Sequence, residues 1–268
     1  MEMENLGGSC LRSRRLERWF DARYEPNKKE APKCSVDEQI SKKENGDDIY
    51  VDDNGWSSVL ISCFRIITCF LTMMVTTFFW ALIMLLLLPW PYHRIRQGNI
   101  YGHLTGRLLM WILGNPIKIE GSEYSNERAI YICNHASPLD IFLIMWLTPT
   151  GSVGIAKKEV ARVIAENDLS LIIFPEGTRS NDGRLLPFKK GFVHLALQTQ
   201  LPIFPIVMTG THRARRKGSL HVRPAPLTVK YLPPITTDNW TVEKIDKHVK
   251  IVHDTYVEHL PESQRPLQ

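Results

Sequence analysis

The longest hydrophobic stretch of the chain runs from Ile66 to Leu88 and contains no charged residue. Its roughly 23 residues are enough to cross the hydrocarbon core of a bilayer, which is about 30 Å thick. A helix that is apolar on every face over such a length is typical of a membrane segment rather than of a soluble core. We therefore predict that a helix over about residues 66–88 anchors the chain in a membrane.

The polar residues on either side of this stretch divide the chain into three parts. Residues 1–57 are rich in charged side chains and poor in aliphatic ones, so we predict a disordered tail. Residues 58–120 form the predicted membrane anchor. Within it, a second apolar stretch at Leu108–Leu113 is too short to span and is expected to be interfacial or part of a re-entrant helix pair. Residues 121–268 form the third part.

Charges that flank the apolar stretch predict its orientation. Arg94, Arg96 and Arg107 follow it, whereas mainly aspartates precede it. Because the basic flank of a membrane segment tends to stay in the cytosol, we expect residues 121–268 on the cytosolic side.

From Gly121 onward, short apolar runs alternate with stretches of helical periodicity. The pattern predicts strands at residues 129–133, 152–156, 169–174, 203–208 and 227–232. It predicts helices at residues 138–146, 158–167, 191–199 and 242–260. Alternating strands and helices indicate an α/β domain with a mostly parallel, mixed sheet flanked by helices, here preceded by the membrane-anchoring helical segment.

Composition and charge exclude several classes of protein. The five cysteines are scattered and odd in number, which argues against a disulfide framework. The net charge of +5 is not gathered into one basic block, so nucleic acid is not an expected partner, whereas a membrane surface or a phosphate ligand agrees with it. The histidines lack the spacing of a zinc site, so no metal is expected.

A histidine and a carboxylate follow the first predicted strand, in the sequence NHASPLD. His135 precedes a helix N-terminus, where the dipole favours a neutral imidazole, and Asp140 lies one turn into that helix and can orient it as a base. The same residues also fit a capping box, in which Asp140 bonds back to the amide of Ser137. The residues alone leave both interpretations open. No Gly-x-Ser-x-Gly motif is present, so a covalent serine hydrolase is disfavoured.

A second polar loop, FPEGTRS, follows another predicted strand. Gly177 permits close approach of the backbone, Thr178 offers a hydroxyl, and Arg179 offers a planar fork suited to phosphate oxygens. The alternative is a solvent-facing turn in which Glu176 and Arg179 form a surface pair of little energetic value.

Basic residues at two further positions extend this picture. Lys189 and Lys190 lie at a predicted helix start, where positive charge opposes the helix dipole, which suggests a nearby anion; a solvated pair of lysines fits equally well. The run from Arg213 to Lys217 follows another strand and has no interleaved aromatic residues. We expect that run to be solvated or to face lipid headgroups.

The motifs NHASPLD, FPEGTRS and LPIFPIVMTG together resemble three of the four sequence blocks of the glycerolipid acyltransferase family. Within it, the chain is most similar to plant microsomal, seed-type lysophosphatidic acid acyltransferases, over about residues 59–267. The resemblance assigns catalysis to the histidine and aspartate and phosphate recognition to the second motif. The predicted site residues are therefore His135 and Asp140 for catalysis, and Glu176, Gly177, Thr178, Arg179, Lys189 and Lys190 for phosphate binding.

The resemblance also implies an activity and its partners. The expected reaction is acyl transfer from acyl-CoA to the sn-2 hydroxyl of 1-acyl-sn-glycerol-3-phosphate, which gives phosphatidic acid. Acyl-CoA is then a co-substrate, and no cofactor is expected. The implied partners are acyl-CoA, lysophosphatidic acid and membrane lipids, with no obligate protein partner. The implied location is the membrane of the endoplasmic reticulum, with the acyltransferase domain (residues 121–268) in the cytosol.

One block of the family is missing between Lys158 and Leu169. In the family, a strand in this interval contributes an arginine to binding of the glycerophosphate, and Arg162 of this chain does not match it. We expect the gap to disturb both the sheet and the site. A catalytically impaired membrane-bound isoform, or a lipid-binding pseudoenzyme, is therefore the alternative function.

Overall fold

The computed structural model describes residues 55–124, 127–149, 151–154, 169–223 and 225–267. Most of the predicted tail and the whole predicted helix at residues 158–167 lie outside this part of the chain. The first helix, α1, spans Trp56–Leu86. It begins well before the predicted start at Ile66, because serines and one arginine interrupt the apolar pattern without interrupting the helix. The predicted tail of residues 1–57 overlaps the first two residues of this helix, and its disorder stays a prediction.

A second long helix, α2, spans Pro91–Leu113 and returns antiparallel to α1. The indole nitrogen of Trp80 on α1 donates to the Gln97 carbonyl oxygen on α2 at 3.0 Å. The sequence pattern predicted only the last turns of α2, since its glycines and charged residues lower helix propensity. Among the described residues, α1 is the one helix long and apolar enough to cross a membrane.

The N-terminal part of α1 and the C-terminal end of α2 both adjoin the rest of the molecule. The Ser62 hydroxyl accepts a hydrogen bond from the Val222 amide at 2.7 Å, and the Ser58 hydroxyl lies 3.3 Å from Nε2 of His221. α2 ends at Leu113, shortly before the first strand. The two helices therefore form a hairpin, and its insertion into a membrane stays a prediction.

In the part of the chain that the structure describes, six strands form one sheet. They are β1 Ile117–Glu120, β2 Ile130–Cys133, β3 Ser152–Gly154, β4 Ser170–Ile173, β5 Ile203–Thr209 and β6 Leu227–Tyr231. Their order across the sheet is β1-β6-β5-β2-β4-β3. All neighbouring pairs are parallel except β5 and β6, which are antiparallel. The predicted mixed, mostly parallel sheet is confirmed, although the four-residue strand β1 was missed because so short a run carries little periodicity.

Helices cover both faces of this sheet. The remaining helices are α3 Leu139–Leu147, α4 Gly191–Thr199, the short α5 Thr211–Ala214 and α6 Ile245–His259. Short 3₁₀ turns lie at Ser122–Tyr124, Val242–Lys244 and Glu262–Gln264. Residues of α4 and α6 pack on one face of the sheet, and residues of α2 and α3 pack on the other.

The glycines of α2 allow α3 to approach it closely. A methyl group at Gly106 would lie 2.6 Å from the Phe142 carbonyl oxygen of α3, which is closer than atoms can pack. A methyl group at Gly102 would lie 3.3 Å from the Met145 side chain. The glycines that weaken α2 as an isolated helix thus permit close contact with the helix that follows β2.

A proline in the central strand β5 is compensated by a side chain from α6. Ile132 of β2 is in register with Pro205, which has no backbone N–H to donate. The hydroxyl of Tyr256, fully buried, donates to the Ile132 carbonyl oxygen instead. It also accepts from the Ile206 amide at 3.2 Å. The tyrosine therefore joins β2 and β5 directly below the loops that follow them.

The expected disturbance of the sheet by the missing block is not seen in the described residues. β3 and β4 flank the interval that contains the gap, and they pair in parallel with Ser152 opposite Ser170. β4 pairs in turn with β2.

The hairpin geometry predicts the side of the membrane on which each end of the chain lies. Because α1 begins and α2 ends next to the same domain, we expect residues before Trp56 and residues after Gly114 on one side. Epitope tags at the two termini should be digested together, or protected together, when sealed microsomes are treated with protease. Digestion of one tag and protection of the other would show that α1 crosses the membrane alone.

Candidate active site

Three loops meet at the carboxyl ends of the adjacent strands β4, β2 and β5. Ligands of open α/β sheets bind at this edge. Asn134, directly after β2, ties two of the loops together: its amide nitrogen donates to the Met208 carbonyl oxygen at 2.8 Å, and its amide oxygen accepts from the Met208 N–H at 2.8 Å. The order of the strands therefore brings the three loops together.

His135 and Asp140 form a hydrogen-bonded pair, with 3.0 Å between Nδ1 and Oδ2. The same carboxylate oxygen accepts from the backbone amides of Ala136 and Ser137, both at 2.7 Å. Asp140 therefore performs both of the roles that the sequence left open, since it caps the start of α3 and orients the imidazole. Because a carboxylate only accepts, Nδ1 carries the proton and Nε2 keeps a free lone pair.

The imidazole lies near the surface while its partner is buried. The side chain of His135 is 13% exposed and that of Asp140 only 1%. The ring of Phe174 packs against the imidazole, with 4.3 Å between the ring centroids. A group that approaches from solvent therefore meets the histidine and not the carboxylate.

Glu176, which was predicted to bind phosphate, contacts backbone amides in the structure. Its carboxylate is buried and accepts hydrogen bonds from the backbone amides of His135 at 2.6 Å and Leu186 at 3.0 Å. Burial, together with the nearby charge of Asp140, raises its pKa to about 7 despite these two amides. A buried acid whose oxygens are already bonded cannot attract a phosphate, so Glu176 instead braces the backbone of the histidine. Because Glu176 is buried, it does not form the surface pair with Arg179 that the sequence left as the alternative.

The structure brings Gly177 and Lys189 together. Gly177 has a φ of +69°, and a methyl group there would lie 2.4 Å from the Lys189 ammonium nitrogen. The Lys189 amide donates to the Pro175 carbonyl oxygen at 2.8 Å. The lysine therefore crosses over the glycine, and the positive φ is the reason why the loop favours a residue without a side chain.

The other predicted phosphate ligands differ in their surroundings. Arg179 is half-buried, and Thr178 is exposed. Lys190 instead forms an exposed ion pair with Asp246 of α6, 2.7 Å between Nζ and Oδ1. That pairing turns Lys190 towards the last helix, so its predicted role in phosphate binding is not supported by its position.

The loop after β5 contains residues whose position the sequence did not reveal. Burial lowers the pKa of His212 to about 4, so this second histidine is neutral at physiological pH. Its ring packs against Gly183, where a methyl group would lie 2.4 Å from Cδ2. Arg215 is half-buried rather than solvated, and its carbonyl oxygen accepts from the Ser137 hydroxyl at 2.8 Å. This contact joins distant parts of the chain, so no local pattern predicts it.

A cavity of about 210 Å³ lies between α2, α3 and the carboxyl ends of β3 and β4. Its lining is mostly apolar, and it includes Phe174, the residue that packs on the His135 ring. The other lining residues are Gly98, Asn99, Gly102, His103, Ile141, Ile144, Met145, Thr148, Pro149, Ser152, Gly154 and Ile172. The candidate site thus combines a polar edge with an adjoining apolar space.

Within the described ranges, no group of three or more histidine, cysteine or acidic side chains is arranged to hold a metal ion. Cys63, Cys69 and Cys133 are free thiols, whereas Cys10 and Cys34 lie outside the described residues.

Comparison with known proteins identifies relatives of the chain. A family model described as "Acyltransferase" matches residues 116–165 and 155–209. The 1-acyl-sn-glycerol-3-phosphate acyltransferase of Cocos nucifera is 56% identical over 292 residues, covering 97% of this chain and 94% of the relative. The protein of the same name from Limnanthes douglasii is 57% identical over 249 residues, covering 81% of this chain and 89% of the relative.

A solved structure has a similar fold. The crystal structure of the 1-acyl-sn-glycerophosphate acyltransferase of Thermotoga maritima superimposes with a TM-score of 0.62 at 24% identity. The match covers 77% of this chain and 98% of that protein. At this identity the likeness supports the α/β architecture alone.

The lengths of the alignments agree with a missing internal block. The alignment with the Cocos nucifera protein extends over 292 residues, more than the 268 residues of this entire chain. That relative therefore contains residues that have no counterpart here. The family model matches in two sections that meet at residues 155–165, which is where the sequence blocks indicated the gap.

The raised pKa of Glu176 predicts a pH dependence of stability. The folded chain keeps this proton up to about pH 7, whereas a glutamate in the unfolded chain loses it near its ordinary pKa of 4.5. The resulting contribution to the free energy of unfolding is complete below pH 4.5 and is lost as the pH rises to about 7. Glu176→Gln cannot titrate at this position. Its melting temperature in detergent should therefore lack the fall between pH 4.5 and about pH 7 that Glu176 causes in the unmodified chain.

The matched control for this experiment is Glu258→Gln on the exposed surface of α6, which should keep the pH dependence of the unmodified chain. An unchanged pH profile for Glu176→Gln would contradict the raised pKa.

The close approach at Gly177 predicts a second stability effect. Gly177→Ala places a methyl group at positive φ and against the Lys189 ammonium, so we expect destabilisation by about 1–2 kcal/mol. Gly191→Ala is the matched control, because a methyl group there meets nothing within 4 Å. Melting in detergent should separate the two variants, and equal melting temperatures would exclude the strained geometry.

Proposed function

Because this chain belongs to the family of 1-acyl-sn-glycerol-3-phosphate acyltransferases, we propose that it transfers a fatty acyl group from acyl-CoA to the sn-2 hydroxyl of 1-acyl-sn-glycerol-3-phosphate. The product is phosphatidic acid. The observation that carries the proposal is the hydrogen bond between His135 and Asp140, which leaves Nε2 as a base at the edge of the sheet. The substrate supplies the attacking hydroxyl, so the protein needs no nucleophile of its own.

The reaction proceeds by general base catalysis. Nε2 of His135 takes the proton of the sn-2 hydroxyl as its oxygen attacks the thioester carbon. Asp140 stabilises the imidazolium that forms, since its Oδ2 lies 3.0 Å from Nδ1. The carbon–sulfur bond then breaks, and the CoA thiolate leaves with the proton returned by the imidazolium. The imidazole is neutral again after one turnover.

Cationic side chains bind the phosphate of the acceptor. Arg179 provides the planar guanidinium, and Lys189 lies over Gly177 in the same loop. Glu176 holds the histidine backbone behind them without facing the ligand. We do not assign phosphate binding to Lys190, because Asp246 neutralises it.

The apolar cavity between α2 and α3 receives part of an acyl chain. It adjoins the reacting imidazole through Phe174, so a thioester carbon next to Nε2 has an apolar space within reach. Burial of each methylene contributes about 0.8 kcal/mol.

The exposed apolar surface of α1 indicates a membrane protein. Phe64, Phe70 and Phe78 are each more than half exposed, and a protein in water rarely leaves such a surface uncovered. We propose the endoplasmic reticulum membrane, with the acyltransferase domain in the cytosol, because the sequence resembles plant microsomal acyltransferases.

The alternative of an impaired isoform or lipid-binding pseudoenzyme is not favoured by any observation. Oδ2 of Asp140 accepts from the imidazole of His135 and from two backbone amides, and the loops around the pair are tied together by hydrogen bonds.

The proposed base predicts the effect of two substitutions on activity. His135→Ala should lower kcat by about 10²- to 10⁴-fold, the usual contribution of a general base. Asp140→Asn keeps an oxygen that can accept from the amides of Ala136 and Ser137, but it loses the charge that supports the imidazolium. Its acyl transfer should therefore be slow although its melting temperature stays close to that of the unmodified chain.

Radiolabelled acyl-CoA with lysophosphatidic acid in detergent measures both effects. His194→Ala, on the exposed surface of α4, controls for loss of an arbitrary histidine and should leave kcat unchanged. Full activity of a stable Asp140→Asn variant would show that Asp140 acts only as a helix cap.

A further inference from the structure

Two loops from different strands meet next to the loop that carries His135. The first follows β4 and contains Arg179, and the second follows β5 and contains Arg215. The Lys217 ammonium donates to the Arg179 carbonyl oxygen at 2.8 Å. The Ser137 hydroxyl, two residues after the histidine, donates to the Arg215 carbonyl oxygen at 2.8 Å. Hydrogen bonds therefore fix the backbone of both arginines at the same edge of the sheet.

The second loop is also held from the side of the helical hairpin. The Ser62 hydroxyl of α1 accepts from the Val222 amide at 2.7 Å, and the Arg223 amide donates to the Ala214 carbonyl oxygen at 2.8 Å. A basic loop that merely faces solvent does not need such anchoring. The contacts hold the backbone of the loop that carries Arg215 in a defined place.

The two guanidinium groups lie close enough to interact unfavourably. Arg215 is half-buried, and its burial, followed by the charge of Arg179, lowers its pKa. Nε of Arg215 donates to the Ser219 carbonyl oxygen at 3.2 Å, which leaves its terminal nitrogens for another acceptor. In the described part of the chain, no ion pair joins either arginine to an acidic residue.

Neighbouring cations without a carboxylate between them form a ready binding site for an anion. An arginine fork matches two oxygens of one phosphate, and such charge-assisted hydrogen bonds are about twice as strong as neutral ones. A phosphate monoester carries enough oxygens to bond to both forks at once. Because the loops that carry the two arginines lie beside the His135 loop, the anion should belong to a molecule that also reaches the imidazole.

We propose that Arg215 and Arg179 together bind a phosphate group of a substrate. The identity of the ligand rests on the proposed function, in which both the acceptor lipid and CoA carry phosphate. Arg215 is thus a substrate-binding residue contributed by the loop after β5, in addition to those of the loop after β4.

Steady-state kinetics of Arg215→Gln test the proposal. Loss of one charge-assisted contact should raise the KM of the phosphate-bearing substrate by about 10-fold or more, with a small change in kcat. A raised KM for lysophosphatidic acid assigns the clamp to the acceptor, and a raised KM for acyl-CoA assigns it to the donor. The matched control is Arg216→Gln, which removes the same charge from the exposed neighbouring residue and should leave both constants unchanged.

A binding measurement separates this inference from the proposed activity. The probes are lysophosphatidic acid and a 1-monoacylglycerol with the same acyl chain, each titrated into the full chain in detergent. The unmodified protein should prefer the phosphate-bearing lipid, and Arg215→Gln should lose most of that preference. This result needs no turnover, so a chain that binds in this way but transfers no acyl group would refute the activity while keeping the clamp.

Two outcomes would overturn the proposal. One is an Arg215→Gln variant with normal melting, unchanged KM for both substrates and unchanged lipid preference. The other is an equal effect of Arg216→Gln, which would mean that only the total charge of the loop matters. If Arg215→Gln does not fold, Arg215→Lys keeps the charge but loses the fork, and it should still weaken binding of the phosphate.

Discussion

The carboxylate of Glu176 joins the two loops on which the site depends. One of its oxygens accepts from the His135 amide after β2, and the other from the Leu186 amide beyond β4. The Ser180 amide completes the connection by donating to the His135 carbonyl oxygen at 3.0 Å. Because the N–H and the carbonyl oxygen of His135 are both hydrogen-bonded, its imidazole can change position only by rotation about the side-chain torsions. A buried acid thus contributes to the chemistry by holding backbone, not by touching substrate.

Two separate requirements explain why one carboxylate oxygen of Asp140 accepts three hydrogen bonds. A helix start leaves backbone amides without partners, and a base needs an acceptor behind it. Oδ2 satisfies both requirements, because the turn from β2 into α3 brings the Ala136 and Ser137 amides beside the imidazole. Helix capping and orientation of the base were alternatives in the sequence, and the structure shows them to be two uses of one atom.

The sequence predicted the parts of the fold that depend on local periodicity. Strands such as β2 and β5 are continuous apolar runs, and α4 was found with its observed bounds. The prediction from periodicity failed for most of α2, because the glycines that allow close contact with α3 lower the helix propensity of its sequence. For the site, spacing identified His135 and Asp140, but the role of Glu176 and the position of Arg215 depend on contacts between distant segments. No pattern within one loop carries that information.

The helical hairpin and the basic loop act as one structural unit. Ser62 is almost fully buried although it lies in the long apolar helix α1, and its hydroxyl accepts a hydrogen bond from the amide of Val222. A polar group on an apolar helix is costly to bury unless it is hydrogen-bonded. This contact therefore fixes the position of the basic loop along α1. The loop carries Arg215, and the apolar cavity adjoins α2 on the same hairpin. An amphipathic lipid with one charged end and one apolar end therefore meets cations and apolar space that a single pair of helices holds in register.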